Sequence, residues 1–314
     1  MTNSAVNQAP NAVVMIRPVK FGYNEQTAAS NAFQKKDGID QKDIIQLKAL
    51  KEFDDFVAKL RDLKIDVIVV EDTPEPHKPD SIFPNNWFSM HNDGTVILYP
   101  MQAANRRLER RNDLVEQLNK KHQFLVKEVW DLSSHEQQDQ YLEGTGSIVF
   151  DYINKIAYAN ISPRTHPILL KKVADRLGYK LISFKAHDDQ GRDIYHTNVV
   201  MCVGDRFAVI CAECIPGVED RDKVLDTLEE TGHELVIIDY EQMVQFAGNM
   251  LQLTNALGDK FLIISGAAHA ALRQDQLTTL MRYAKIVPVS ISTIEKYGGG
   301  SVRCMLAGVH LPRI

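Results

Sequence analysis

Five short segments of this 314-residue chain carry side chains able to do chemistry: DSIFPNNW at 80–87, LEGTGS at 142–147, YHTNVV at 195–200, FAGNM at 246–250 and GGGSVRCM at 298–305. Between them they hold Asp80, Asn85, Asn86, Glu143, His196, Asn198, Asn249 and Cys304. A thiol, an imidazole, carboxylates and amides are the parts of a cysteine-nucleophile hydrolase, in which a thiolate attacks and a histidine moves protons. Each residue also has a bland role. A free cysteine is most often a small core residue, so Cys304 by itself reads as packing. Glu143 by itself reads as a surface charge, and the asparagines as turn residues bonding their own backbone, which is the preferred reading of Asn249. What favours chemistry is that all of these groups stand at the start of the same kind of unit.

That unit is an apolar strand, a tight turn rich in Gly, Asn or Asp, and a second apolar strand. NWFSMHNDGTVILYP, GSIVFDYINKIAYANI, NVVMCVGDRFAVICAE and NMLQLTNALGDKFLIIS are four copies, and SVRCMLAGVHL is a shortened fifth. Their anchors Asn86, Gly146, Asn198, Asn249 and Cys304 lie 60, 52, 51 and 55 residues apart. Between the hairpins the pattern predicts helices over 41–63, 104–121, 165–177, 218–231, 240–248 and 270–284. In the first of these, Ile44, Leu47, Leu50, Phe53, Phe56, Val57 and Leu60 make the apolar face. Short apolar runs such as VVMIRP, IDVIVV, FLVKEV, KLISF, ELVIID and AKIVPVS predict further buried strands. A period near 50 residues argues for radial repetition. All-β kelch blades share that period, but the intervening helices favour a five-bladed α/β propeller with pseudo-fivefold repeats, formed by residues 1–314 as one domain with a flexible tail over 1–12. Such a fold would bring the five hairpin starts to one central site.

Composition limits the partners. With 36 Lys plus Arg against 41 Asp plus Glu, the net charge of -5 offers no field for nucleic acid or an anionic membrane. No apolar run reaches the length of a membrane span and the N-terminus lacks a signal-peptide pattern, so a cytoplasmic protein acting on a small molecule is expected. Self-association is left open. Four cysteines make no disulfide framework. Cys211 and Cys214 spell CAEC, but there is no second pair for zinc, and on a strand residues three apart face opposite ways, so core packing is the expectation and no metal or cofactor is assigned. The GGG run at 298–300 lacks the Lys-Ser or Lys-Thr of a phosphate loop. Arg17 fits a structural salt bridge as well as a substrate contact, and NRRLERR at 105–111 fits a solvated basic face.

The ordered set MIRP, FGYNEQTAASNAFQ, DSIFPNNW, EGTGS, SPRTH, HTN and GGGSVRC resembles the amidinotransferase and arginine-deiminase-like (pentein) superfamily over Val13 to Pro312, and within it the citrulline-utilisation hydrolases. The resemblance implies Cys304 as nucleophile on a guanidino or ureido carbon, His196 as acid and base, and Glu143 as the carboxylate holding substrate nitrogens. It further implies Arg164 as the grip on the amino-acid carboxylate and Asp80 as an acidic residue at the mouth of the site. Asn86 and Asn198 stand where arginine deiminases carry aspartates. Paired carboxylates suit a cationic guanidinium, whereas asparagine can donate to the carbonyl of a neutral ureido group. Citrulline, hydrolysed to ornithine, carbon dioxide and ammonia, is therefore the expected substrate. Arginine dihydrolase, arginine deiminase and amidinotransferase are the alternatives within this chemistry, and a non-catalytic binding module is the alternative outside it.

Overall fold

The computed structural model describes residues 6–28, 30–35 and 42–314. Strands and helices alternate in a mixed α/β fold containing five three-stranded sheets. Four of the sheets start with a hairpin: Phe88–Met90 with Thr95–Leu98, Val149–Asp151 with Ile156–Asn160, Met201–Val203 with Phe207–Ile210, and Leu251–Thr254 with Lys260–Ser265. Turn chemistry sets these pairings. At the first, Asp93 Oδ1 accepts the Thr95 amide at 2.9 Å, and Gly94 takes φ +92° where a Cβ would meet the Lys127 side chain at 2.8 Å.

A third strand joins each hairpin in parallel, which demands a crossover. Helices supply it: Asn112–Lys120, Pro167–Leu177 and Val218–Glu230 each lead to the next parallel strand, and Gly266–Ala271 with Gln274–Met281 do so in the fourth sheet. The fifth sheet is built differently from the expected shortened hairpin. Ala307–Gly308 pairs antiparallel with Ala12–Arg17, which in turn pairs parallel with Asp66–Glu71. Both ends of the chain are thereby tied into one sheet.

Four further expectations change. In Lys42–Asp62 the buried stripe is Ile45, Ala49, Phe53, Phe56, Val57 and Leu60, leaving Ile44 and Leu47 outside. The region 104–121 divides into a 3-10 turn, Ala104–Glu109, and a helix, Asn112–Lys120, because Arg110 and Arg111 are extended. Of the expected tail, residues 1–5 lie outside the described residues, but Gln8 is buried and donates to the carbonyls of Phe150 and Val203 at 2.9 and 3.1 Å. Cys211 caps and Cys214 ends a 3-10 turn rather than lying on a strand, so their sulfurs face each other at 2.7 Å, buried against Met243. Among the described residues, no helix is long and apolar enough to cross a membrane.

Candidate active site

Short helical turns precede the hairpins and carry the chemistry-bearing residues. Glu143 and His196 occupy the N-cap positions of Gly144–Ser147 and Thr197–Val200, yet neither side chain caps its turn, so each is free to project. The turns meet through glycine: a Cβ on Gly146 would lie 2.4 Å from Asn86 Nδ2 and 2.8 Å from the His196 ring. Gly144, at φ +48°, would put a Cβ 2.3 Å from the Asn85 carbonyl. Only residues lacking a side chain let three hairpin starts approach this closely.

His196 Nε2 lies 2.8 Å from Glu143 Oε2, and Arg164 Nη1 lies 3.4 Å from the same oxygen. Burial alone would raise the Glu143 pKa, but Arg164, His196 and Arg106 outweigh it and hold the carboxyl well below the usual range. Burial pushes His196 down to about 4, against the opposing pull of Glu143. An ionised carboxylate therefore faces a neutral imidazole, which donates from Nε2 and keeps Nδ1 as a lone-pair acceptor. Cys304 Sγ is flanked by two amide donors, Asn249 Nδ2 at 3.4 Å and Asn198 Nδ2 at 3.5 Å. Asn249 Oδ1 accepts the Arg303 amide at 3.1 Å, which fixes the direction of its Nδ2. These centres are shut from solvent: Cys304 is 5% exposed, His196 2% and Glu143 0%. Alongside lies a cavity of about 940 Å³ whose lining includes Ser30, Phe33, Tyr195 and Phe246.

A family model described as N,N dimethylarginine dimethylhydrolase, eukaryotic, matches residues 17–311. The chain belongs to that family. No curated protein matches it. Among solved structures, apo ArgZ, an arginine dihydrolase from the ornithine-ammonia cycle in Cyanobacteria, aligns with a TM-score of 0.75 at 16% identity, over 96% of this chain and 41% of ArgZ. The chain thus spans about two-fifths of that protein's length. The N-terminal domain of ArgZ bound to its substrate aligns with a TM-score of 0.73 at 15% identity, over 94% of this chain and 96% of that one. A dimethylarginine dimethylaminohydrolase adduct with 4-chloro-2-hydroxymethylpyridine aligns with a TM-score of 0.62 at 14% identity, over 95% and 98%. The likeness at these identities is one of fold, that of the pentein superfamily.

Within this dimethylarginine dimethylhydrolase family member, several residues sit differently from expectation. Asp80 is not at an open mouth but buried, where Oδ2 accepts from Asn24 Nδ2 at 2.7 Å and Thr27 Oγ1 at 3.3 Å, while Oδ1 has no hydrogen-bond partner among the described residues. Burial raises its pKa against the pull of Arg106 and Asn24. Besides Glu143, Arg164 donates to the Thr27 carbonyl and to Ser30 Oγ, and its guanidinium lies 4.7 Å from the Tyr195 ring centroid. Asn249 touches the thiol instead of serving only its own turn, and the signal available was its shared position at a hairpin start. Arg17 pairs with Asp54 and Glu71 in a surface network.

Arg106 is the residue that sequence reasoning missed. Far from lying on a solvated face, it is buried, forks onto both oxygens of Glu109 at 2.9 Å, and donates from Nη1 to Asn86 Oδ1 at 2.9 Å. Breaking one side of a buried ion pair costs about 3–5 kcal/mol, whereas replacing both partners by apolar groups is close to neutral. Arg106→Met should accordingly lower stability to urea by about that amount, and Arg106→Met with Glu109→Leu should recover most of it. Equal unfolding midpoints for wild type and Arg106→Met would remove the pair from the fold's support.

Proposed function

We propose that this protein is a cysteine-dependent hydrolase acting on the side-chain carbon of a ureido or guanidino amino acid, with citrulline as substrate. In this reading the five sheets are blades of a propeller whose hairpin starts surround the reacting carbon. The observations that carry it are a thiol flanked by two amide donors, one of them Asn198 on the turn that His196 opens, and a buried carboxylate–imidazole pair. Cys304 attacks the ureido carbon as its proton passes to His196, whose new charge Glu143 stabilises. Asn198 and Asn249 hold the sulfur. The imidazolium then protonates the departing amine, and the same ring takes a proton from the water that cleaves the S-carbon intermediate. The carbamic acid released from sulfur then loses carbon dioxide, which breaks the second carbon–nitrogen bond, so ornithine, carbon dioxide and ammonia are the products. Arg164 and the unpartnered Asp80 Oδ1 serve the amino-acid end.

The preference for a neutral group rests on asparagine. Asn86 Oδ1 is already taken by Arg106, while its buried Nδ2 has no hydrogen-bond partner among the described residues. A free buried donor is costly and is satisfied by the carbonyl oxygen that a ureido group has and a guanidinium lacks. A second reading, arginine as substrate, is favoured by the buried Asp80 carboxylate and by the named activity of ArgZ. A paired assay separates them: wild type should turn over citrulline faster than arginine, and Asn86→Asp, with Asn198→Asp added, should raise the arginine-to-citrulline ratio of kcat/KM by about tenfold or more, some 1.4 kcal/mol. Faster arginine consumption by wild type would transfer the assignment to arginine.

A further inference from the structure

The buried Arg106 guanidinium spends its donors in a fixed order. Nε and Nη2 lie on the two oxygens of Glu109, Nη2 also reaches the Phe83 carbonyl at 3.3 Å, and Nη1 is left for Asn86 Oδ1 at 2.9 Å. A guanidinium carries donors only, so the amide atom facing Nη1 must be the oxygen of Asn86. The nitrogen is thereby turned the other way, towards the base. One point, the place of a Cβ on Gly146, lies 2.4 Å from Asn86 Nδ2 and 2.8 Å from both Cε1 and Nδ1 of the His196 ring. There Nδ2 is buried without a hydrogen-bond partner among the described residues.

Asn198 has no such lock. Its Nδ2 meets the Cys304 sulfur at 3.5 Å, and its Oδ1 has no hydrogen-bond partner among the described residues. A thiol both donates and accepts, so this contact does not dictate which end of the Asn198 amide faces the sulfur. Asn86 cannot turn over without setting its own donor against that of Arg106.

We infer that Arg106 is a specificity-determining residue of this site, a positioning residue that locks the Asn86 amide with its donor towards the reacting group. The inference rests on the hydrolase reading above and deepens it. A locked donor complements the carbonyl oxygen of a ureido group and opposes the N–H groups of a guanidinium, which has no acceptor to offer. The discrimination thus includes a repulsive element against the wrong substrate as well as an attractive one for the right substrate. With an apolar residue at position 106, Asn86 would be free to turn over and accept from a guanidinium.

The test is the preference for arginine over citrulline in the full chain, read as the ratio of kcat/KM and again as dissociation constants in a Cys304→Ala background, where no chemistry is needed. Arg106→Met with Glu109→Leu, the pair expected above to keep most of the stability, should raise that preference by about tenfold or more. Should this pair fold poorly, Arg106→Gln with Glu109→Gln makes the same comparison, because a glutamine amide both donates and accepts and so dictates no orientation. Glu109→Gln alone is the control: it breaks the buried ion pair but leaves Nη1 on Asn86, so the preference should stay within about twofold of wild type. In an Asn86→Ala background the paired change should leave the preference unmoved, since the lock then has nothing to hold. An unmoved preference in the folded pair overturns the inference, as does an equal rise in Glu109→Gln or in the Asn86→Ala background. The wild-type value itself tests the substrate assignment, whereas the change on substitution decides the lock.

Discussion

Cys304→Ala is expected to fold normally and to lose hydrolysis by at least about 10⁴-fold, because removing a nucleophile leaves only the modest catalysis of binding and polar groups. Replacing a thiol by a hydrogen deletes one heavy atom from a packed turn, a loss of about 1 kcal/mol by the cost of small core truncations. The turn itself is secured elsewhere, by the Cys304 amide donating to the Ser301 carbonyl at 3.0 Å and by Asn249 Oδ1 holding the Arg303 amide. Cys211→Ala and Cys214→Ala should keep most activity, since those thiols pack against Met243 and neither is bonded to a residue of the reacting set. Ornithine and ammonia release from the purified variants is the measurement. Retention of more than about one per cent of turnover by Cys304→Ala would place the nucleophile elsewhere.

Glu143→Gln should lower kcat by roughly 10² to 10⁴ while changing KM far less, because the carboxylate acts on the charge that appears at His196 during reaction. In the resting protein His196 is neutral, pushed down to about 4. Glu143 is the group that opposes this shift, so the amide should lower the histidine pKa further and make the imidazolium harder to form. The sign follows: an acid limb governed by His196 moves to lower pH in the variant, while the plateau falls. Arg164 loses its partner in the same substitution and is left buried. Circular dichroism and a thermal scan establish that the variant is folded, and the kcat profile from pH 4 to 8 provides the test. A variant with wild-type kcat would reduce Glu143 to a structural anchor.

Much of this arrangement can be read from the chain because its determinants are local. Turn residues such as Asn92-Asp93-Gly94 specify hairpins, and apolar periodicity specifies the crossover helices, so four similar units are visible at steps of 51 to 60 residues. Cys304, His196 and Glu143 follow from their common place in those units. Tertiary structure decided the rest, because pairing of charges and amides depends on which units become neighbours. NRRLERR reads as a solvated basic face by its charge density, yet Arg106 becomes buried once the 3-10 turn presses it onto Glu109 and Asn86. Arg164 meets Glu143 across 21 residues, Asn249 meets Cys304 across 55, and Asp80 loses its solvent when Asn24 and Thr27 close over it. The last sheet is completed by the first strand, a long-range choice that no turn signal encodes. Local backbone chemistry wrote the repeats, and burial decided which polar groups within them had to find each other.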